Sequence, residues 1–417
     1  MPLGPAIGST IYNTVCLTSV IFVHCDVAPK SVTLRFVVTI MKYPKAFVLL
    51  TGFLVTTAAP AFSQEALGVN YNQFLQSIQE QEVSKIDATW IRGFLDMHLL
   101  GNQVPSQNAD IQSILKAKAH GRRTILNLKW NYETEPFPVP GSVAMAQEVN
   151  QLNRVLPVVL GKVDILVIGN EPFIETLSTQ SGQPLIDFYQ TMANSVINYW
   201  NSHPDAARAT QLYMGAFTRL DLAQNRTASV QWMLGYIASH QELSGPDLHM
   251  HMPDFAANQL MLSNVLPWLR SDPKFLVTEF SLVLLWYQHL GDMVSPDFTS
   301  RYNLPSTLEV YQFIDLALQN PVPDSEWRDF LESCPWYMQQ SEFLLNAYSL
   351  FRSTGKLGVA NYGMLQSWTK GVAFTSTSTP WLLNALFASA TVKPRENGSA
   401  FENFPWGQKF TNLQNAQ

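Results

Sequence analysis

Val163-Asp164-Ile165-Leu166-Val167-Ile168-Gly169-Asn170-Glu171-Pro172-Phe173 is the stretch that decides the fold. Its first six residues are apolar except Asp164. A short apolar run closed by glycine and proline predicts a strand buried on both faces. Pro172 cannot donate to a sheet ladder, and it biases Glu171 toward extended backbone. The stretch therefore predicts a carboxylate at the C-terminal lip of a buried parallel strand. In barrels made of such strands, that lip is where active sites are assembled.

A second run has the same form. Lys274-Phe275-Leu276-Val277-Thr278-Glu279-Phe280 is apolar and closes on another glutamate. The interval between the two leaves room for two further strand-plus-helix units. If Glu171 follows the fourth strand, Glu279 ends the seventh. The fold class is then α/β, a (β/α)8 TIM barrel, with two carboxylates on one rim. Retaining glycosidases use such a pair.

Asn170-Glu171-Pro172 after the fourth strand and Thr278-Glu279-Phe280 on the seventh resemble the clan A retaining glycoside hydrolases. The resemblance spans Ala66 to Ala390. It implies cleavage of β-glycosidic bonds in a polysaccharide or oligosaccharide by double displacement. Glu171 would be the acid/base and Glu279 the nucleophile, with no cofactor and no metal. Glu171 is then expected in a less polar setting with a raised pKa, and Glu279 must stay ionised. Arg92, at the lip of the second strand, matches the clan's arginine beside the nucleophile; the alternative is a solvated arginine. Asn170 matches the residue that donates to the sugar 2-hydroxyl; otherwise it is a local turn-former.

His249 and His251 are two apart, on one face of the sixth strand. The clan often has histidine or tyrosine there. Zinc ligation is the rival reading, with Asp254 as a third ligand, and structural histidines are another. Trp368 matches the clan's tryptophan floor under the sugar, against a barrel-cap core residue. Trp130 and Tyr132 after the third strand, and Trp286 and Tyr287 after the seventh, are candidates for further subsites or for core. Asp96 and His98 are weaker candidates. Two departures from the clan stand out: Gly169 where many members have Trp, and Ser281-Leu282 where Gly is common.

The rest of the chain fits one decorated barrel. In 417 residues, 47% are hydrophobic and 14% charged, which supports a large core and argues against global disorder. The formal charge is −6, with no basic run, so a neutral glycan suits it and nucleic acid does not. Met41 to Ser63 has a basic start, an apolar core and small residues before Gln64, the pattern of a secretory signal peptide. Residues 1–40 are then an upstream extension, 64–390 the catalytic barrel and 391–417 a tail that packs or frays. No later stretch is long and apolar enough to span a membrane. The expected location is secreted or periplasmic. Cys16 and Cys25 lie in the leader region, so Cys334 has no internal bridge and reads as a core or loop thiol. Asn225-Arg226-Thr227 and Asn397-Gly398-Ser399 are glycosylation sequons of the kind that also arise by chance.

Strands are expected at Ala66–Tyr71, Ala88–Gly93, Arg123–Trp130, the Glu171 stretch, Gln211–Phe217, Leu248–Met252, Lys274–Phe280 and Leu357–Tyr362. Helices are expected from an Asp110 cap to Ala119, from a Ser142 cap to Leu160, and over Leu185–Asn201, Thr227–His240, Ala256–Leu269 and Pro380–Ala390. The longest interval, Ser281 to Lys356, predicts an insertion between the seventh and eighth strands with helices near Thr307–Leu318 and Tyr337–Phe351. Two readings compete with the enzyme: a catalytically silent barrel that binds glycan, and a metal-dependent hydrolase using His249 and His251. Oligomeric state has no signature in the sequence.

Overall fold

A computed structural model describes residues 22–28, 31–37, 66–271, 274–365 and 372–416. The chain divides into two units, Met1–Ala58 and Ala59–Gln417. In the first, strands Phe22–Ala28 and Ser31–Val37 pair antiparallel, within the stretch expected to be an upstream extension. The expected signal peptide, 41–63, lies outside the described residues, as does Trp368.

The second unit is a closed barrel of eight parallel strands. In chain order they are Ala66–Asn70, Trp90–Asp96, Arg123–Lys129, Ile165–Ile168, Gln211–Thr218, Leu243–His251, Phe275–Ser281 and Leu357–Gly363. The eighth pairs with both the first and the seventh, which closes the ring. Parallel neighbours need a crossover, and main helices over Ala109–Ala119, Val143–Val159, Gln183–Ser202, Ala228–Ser239 and Phe255–Val265 supply several of them. Ser142 caps one of these as expected, and Thr227, expected to open another, caps it. Asn108, not Asp110, caps the first: its side chain accepts from the amides of Asp110 and Ile111.

One expectation fails at the C-terminal side, and the tail takes the first of its two expected courses. Pro380–Ala390 is not a helix. Only Trp381–Asn384 makes a 3-10 turn, because the following backbone is drawn into pairing: Leu386 donates to Gly363, and Phe387 bridges Glu402. The tail does not fray. Its helix Trp406–Asn415 buries Trp406 and Phe410, and Gln414 donates to the backbone of Leu67 on the first strand. The interval between the seventh and eighth strands holds helices including Val310–Gln319, Asp324–Glu332 and Phe343–Ser353, the last packed on the eighth strand.

The barrel interior is layered. Ala66, Trp90, Ile125, Ile165, Val167, Tyr213, Leu276 and Val359 form one apolar cluster inside it. Side chains two residues apart share a face. One step up the strands from Trp90, Ile125 and Leu276 come Arg92, Asn127 and Thr278, all fully buried. The floor is thus apolar, and polarity begins directly above it.

Candidate active site

Arg92 is the hub of the polar layer. Its Nη1 lies 2.5 Å from Glu279 Oε1 and also donates to Asn70 and Asn72. Nη2 donates to Asn170 Oδ1 at 2.6 Å, and Nε to Asn127 Oδ1 at 2.9 Å. Burying a guanidinium with no exposed surface is costly unless such partners take up its hydrogens. Burial alone would push the Glu279 carboxyl up. The charges of His249 and Arg92, with His251 beside them, outweigh it and hold Glu279 far below the ordinary range. That direction favours the ionised form, the state expected of Glu279 from the sequence.

Strict alternation along the seventh strand would turn Glu279 away from the face that Thr278 shows the interior. The pairing with the sixth strand shifts register between Leu248 and His249, so that Glu279 comes opposite His249. Irregularities of this kind re-aim side chains next to active sites. Thr278 and Glu279 thus both reach His249: Thr278 Oγ1 at 3.1 Å and Glu279 Oε1 at 3.5 Å, each from Nε2.

Glu171 sits past the end of its strand, in the loop. Pro172 does not hold it extended; its φ is +44°. The chain turns tightly here, and the Glu171 carbonyl accepts from the amides of Ile174 and Glu175. Gly169 makes the turn possible. Its φ is +108°, and a Cβ there would meet the Gly215 carbonyl oxygen at 2.1 Å. No tryptophan fits, which accounts for the departure from the clan pattern.

The turn brings Glu171 Oε1 to 3.1 Å from His249 Nδ1. Contrary to expectation, the Glu171 pKa is not raised. Burial pushes it up, but the hydrogen bond and charge of His249 win and draw it below the ordinary value. His249 moves the other way: burial depresses it, and Glu279 and Glu171 together lift it above the ordinary histidine range. One fully buried imidazole thus faces both carboxylates, one at each ring nitrogen.

Behind Asn170 stands a residue that sequence reasoning missed. Arg92 can only donate, so Asn170 must turn its oxygen to Arg92 and its amide nitrogen to Glu175, at 2.9 Å. Glu175 is almost fully buried and pairs with Lys129 at 2.5 Å. Burial dominates and lifts its carboxyl to about 7, against the pull of Lys129 and Asn170. His251, expected near the nucleophile, has Nε2 3.3 Å from Glu279 Oε2. Ser281 explains the second departure: its hydroxyl lies 2.8 Å from His251 Nδ1 and orients the ring. The half-buried Trp381 meets His251 edge to face at 4.8 Å, a second missed residue at the mouth.

Other candidates fall away. Trp130 and Trp286 have no exposed surface, and neither can stack on a sugar. Trp130 packs against Phe188 and Tyr189, and Trp286 against Tyr337 and Trp406. Tyr132 is buried and donates to Glu148, whereas Tyr287 is exposed. Asp96 caps the short helix Met97–Leu100, in which His98 lies within 3.7 Å of Glu148. Cys334 is buried, and burial pushes its thiol up to about 12, as expected of an inert core residue.

Among the described residues Asp254 does not come together with His249 and His251. Its carboxylate caps the helix Phe255–Val265. Glu171, His249 and His251 do bring three donor atoms within 4.8 Å of one another. His249 Nδ1 lies 3.1 Å from Glu171 and His251 Nε2 3.3 Å from Glu279, though neither nitrogen makes a well-formed hydrogen bond among the described residues.

No family profile matches the sequence, and no curated protein matches it. Among solved structures the chain is similar to a GH113 beta-1,4-mannanase, with a TM-score of 0.42 and 8% identity over 85% of this chain and 98% of that one. It is also similar to a GH5-4 broad specificity endoglucanase from Clostridium acetobutylicum (TM-score 0.45, 10% identity, 83% of this chain and 96% of that one). A GH30 endoxylanase from Clostridium papyrosolvens C71 is a third, with a TM-score of 0.36 and 13% identity over 76% of this chain and 69% of that one.

Proposed function

We propose that the barrel is a retaining glycosidase acting on β-linkages of a polysaccharide or oligosaccharide. The observation that carries this reading is His249, whose two ring nitrogens face Glu171 and Glu279. One carboxylate is tied to a buried guanidinium and stays an anion. The other lies 3.1 Å from the imidazole, close enough to receive a proton from it. This unequal pair is what double displacement requires.

In the first step Glu279 attacks the anomeric carbon while Glu171 relays to the leaving oxygen a proton drawn from His249 Nδ1. Asn170 uses its remaining amide hydrogen on the sugar 2-hydroxyl, since its oxygen is committed to Arg92 and its other hydrogen to Glu175. Forming the glycosyl-enzyme removes the negative charge of Glu279. In the second step Glu171, now a carboxylate, takes a proton from water, which releases the sugar with retained configuration. Trp381, beside His251, supplies an apolar surface at the mouth for a sugar face. Secretion or periplasmic export belongs to the same proposal, and N-terminal sequencing of exported protein should begin at or near Gln64.

The test is a panel of plant, fungal and bacterial glycans, with the product anomer followed by NMR. Cleavage with retention supports the reading. An inverted product overturns it. Tight binding of a glycan without any cleavage would replace it with the silent, glycan-binding barrel. Activity lost to a chelator and restored by zinc would replace it with the metal-dependent hydrolase.

A further inference from the structure

We propose that Thr278 and Asp247 are positioning residues that hold His249 with a proton on Nε2, and so confine the site's mobile proton to the line between His249 Nδ1 and Glu171. Of the functional reading, only the activity measurements below depend on it.

The argument is one of donors and acceptors. Asp247 is fully buried on the sixth strand, two residues below His249. Its Oδ2 accepts from Thr278 Oγ1 at 2.7 Å and from Asn127 Nδ2 at 2.9 Å. Its Oδ1 accepts from the Thr278 amide at 3.2 Å. A threonine hydroxyl has one hydrogen. With that hydrogen committed to Asp247, Thr278 Oγ1 turns a lone pair toward His249 Nε2, 3.1 Å away. Arg92 Nη2, at 3.4 Å from the same nitrogen, is a donor with one hydrogen on Asn170 and a second that could reach the ring. Glu279 Oε1, at 3.5 Å, is an acceptor. Two of the three neighbours of Nε2, the nearest among them, therefore call for a hydrogen on it, and only Arg92, farther off than Thr278, calls for a lone pair.

With Nε2 protonated, Nδ1 is the only ring nitrogen left to exchange a proton, and Glu171 is its partner. The groups facing the ring are Glu171, Glu279, Arg92 and His251, with Asp247 behind Thr278. None but Glu171 lies within 3.1 Å of Nδ1 among the contacts of the described residues. The site then holds one transferable proton on one axis, and it ends on the carboxylate that must deliver it. A buried partner that fixes an imidazole tautomer is a recurrent device.

The experiment uses the full-length protein labelled with nitrogen-15, with ring nitrogens read by long-range proton–nitrogen NMR and His249 assigned from its absence in His249→Gln. The wild type and Thr278→Ser should both show Nε2 protonated at every pH from 5 to 9. Thr278→Val, which keeps the shape and loses the acceptor, should show a mixture of tautomers. It should also move the acidic limb of the kcat/KM profile and lower kcat/KM at least about tenfold on a natural glycan. An activated aryl glycoside, whose leaving group needs no proton, should be affected far less. A Thr278→Val ring spectrum identical to wild type, or Nδ1 as the fixed protonated nitrogen in wild type, overturns the proposal. A Thr278→Val protein that is less active with an unchanged spectrum also overturns it, since the role is then merely structural. Recovery by Thr278→Ser guards against misfolding. A locked ring in a protein that cleaves no glycoside supports the tautomer assignment and overturns the functional reading instead.

Discussion

Arg92 and Glu279 form an ion pair, at 2.5 Å, in which the guanidinium has no exposed surface. Such a pair costs desolvation on both sides, so what matters is what happens when half of it is removed. Arg92→Met should strand a buried anion and cost about 3–5 kcal/mol in urea unfolding. Arg92→Lys keeps the charge but cannot span Asn127, Asn170 and Glu279 together, so it should fold and lose activity. Full activity in Arg92→Lys would show that the forked geometry is dispensable.

Gly169 is the next test. An alanine there needs φ near +108° and a Cβ 2.1 Å from a carbonyl oxygen. The loop must move, and Glu171, two residues on, moves with it. Gly169→Ala should lose about 1–3 kcal/mol and show a larger proportional loss of activity than of stability. A variant with wild-type melting and wild-type kcat would refute the crowding argument.

Glu175 gives a pH signature. Its carboxyl is lifted by burial from an ordinary 4.5 to about 7. Between those values the folded protein keeps a proton that the unfolded chain has lost. Stability from this group is therefore present at low pH, falls as pH rises through that window, and levels off above about 7. Glu175→Gln should remove the fall, by at most roughly 3 kcal/mol. Melting curves of both proteins between pH 4 and 9 decide it, and parallel curves would mean that Glu175 does not titrate there.

Trp286 separates core from subsite. It is enclosed by Tyr337 and Trp406. Trp286→Ala should lose about 3–5 kcal/mol with little change in KM on any substrate that the protein turns over. A raised KM at unchanged stability would return Trp286 to the mouth.

The two carboxylates should fail differently. Glu171→Ala should still glycosylate Glu279 from an activated aryl glycoside and then stall, and azide should rescue it with retained configuration. Glu279→Ala should form no glycosyl-enzyme, and azide attacking from the vacated side should give the inverted product. The same anomer from both variants, by NMR, would exclude the assigned roles.

The eight strands were legible because each is a short apolar run, and burial on both faces imposes that pattern. Helix starts at Ser142 and Thr227 were equally legible, since a hydroxyl before an apolar period has one common use. What escaped were consequences of register. Thr278 and Asp247 look like ordinary polar residues inside strands, and only counting by twos from Leu276 and His249 places them inside the barrel. Glu279 reaches the site through a shift in pairing that no local sequence announces. Trp130 and Trp286 misled for the opposite reason. An aromatic after a strand has the same signature whether it lines a cleft or fills a core. The helix expected over Pro380–Ala390 lost to a backbone partner, Gly363, that is adjacent only in the closed fold.

Closure of the ring by the eighth strand has a consequence for synthesis. That strand pairs with the first and with the seventh, so neither has its final neighbour until Leu357–Gly363 has been made. Residues 282–356 come between. At about 5–20 residues per second, the ribosome spends roughly 4–15 s on them. Throughout that time the nascent chain carries two bare strand edges of the kind that invite pairing with other chains. Helix Trp406–Asn415 arrives later still, and with it the side chain of Gln414 that reaches the first strand. Closure of the barrel therefore waits for its last strand and the helix beyond it, and does not proceed one strand-and-helix unit at a time as the chain emerges.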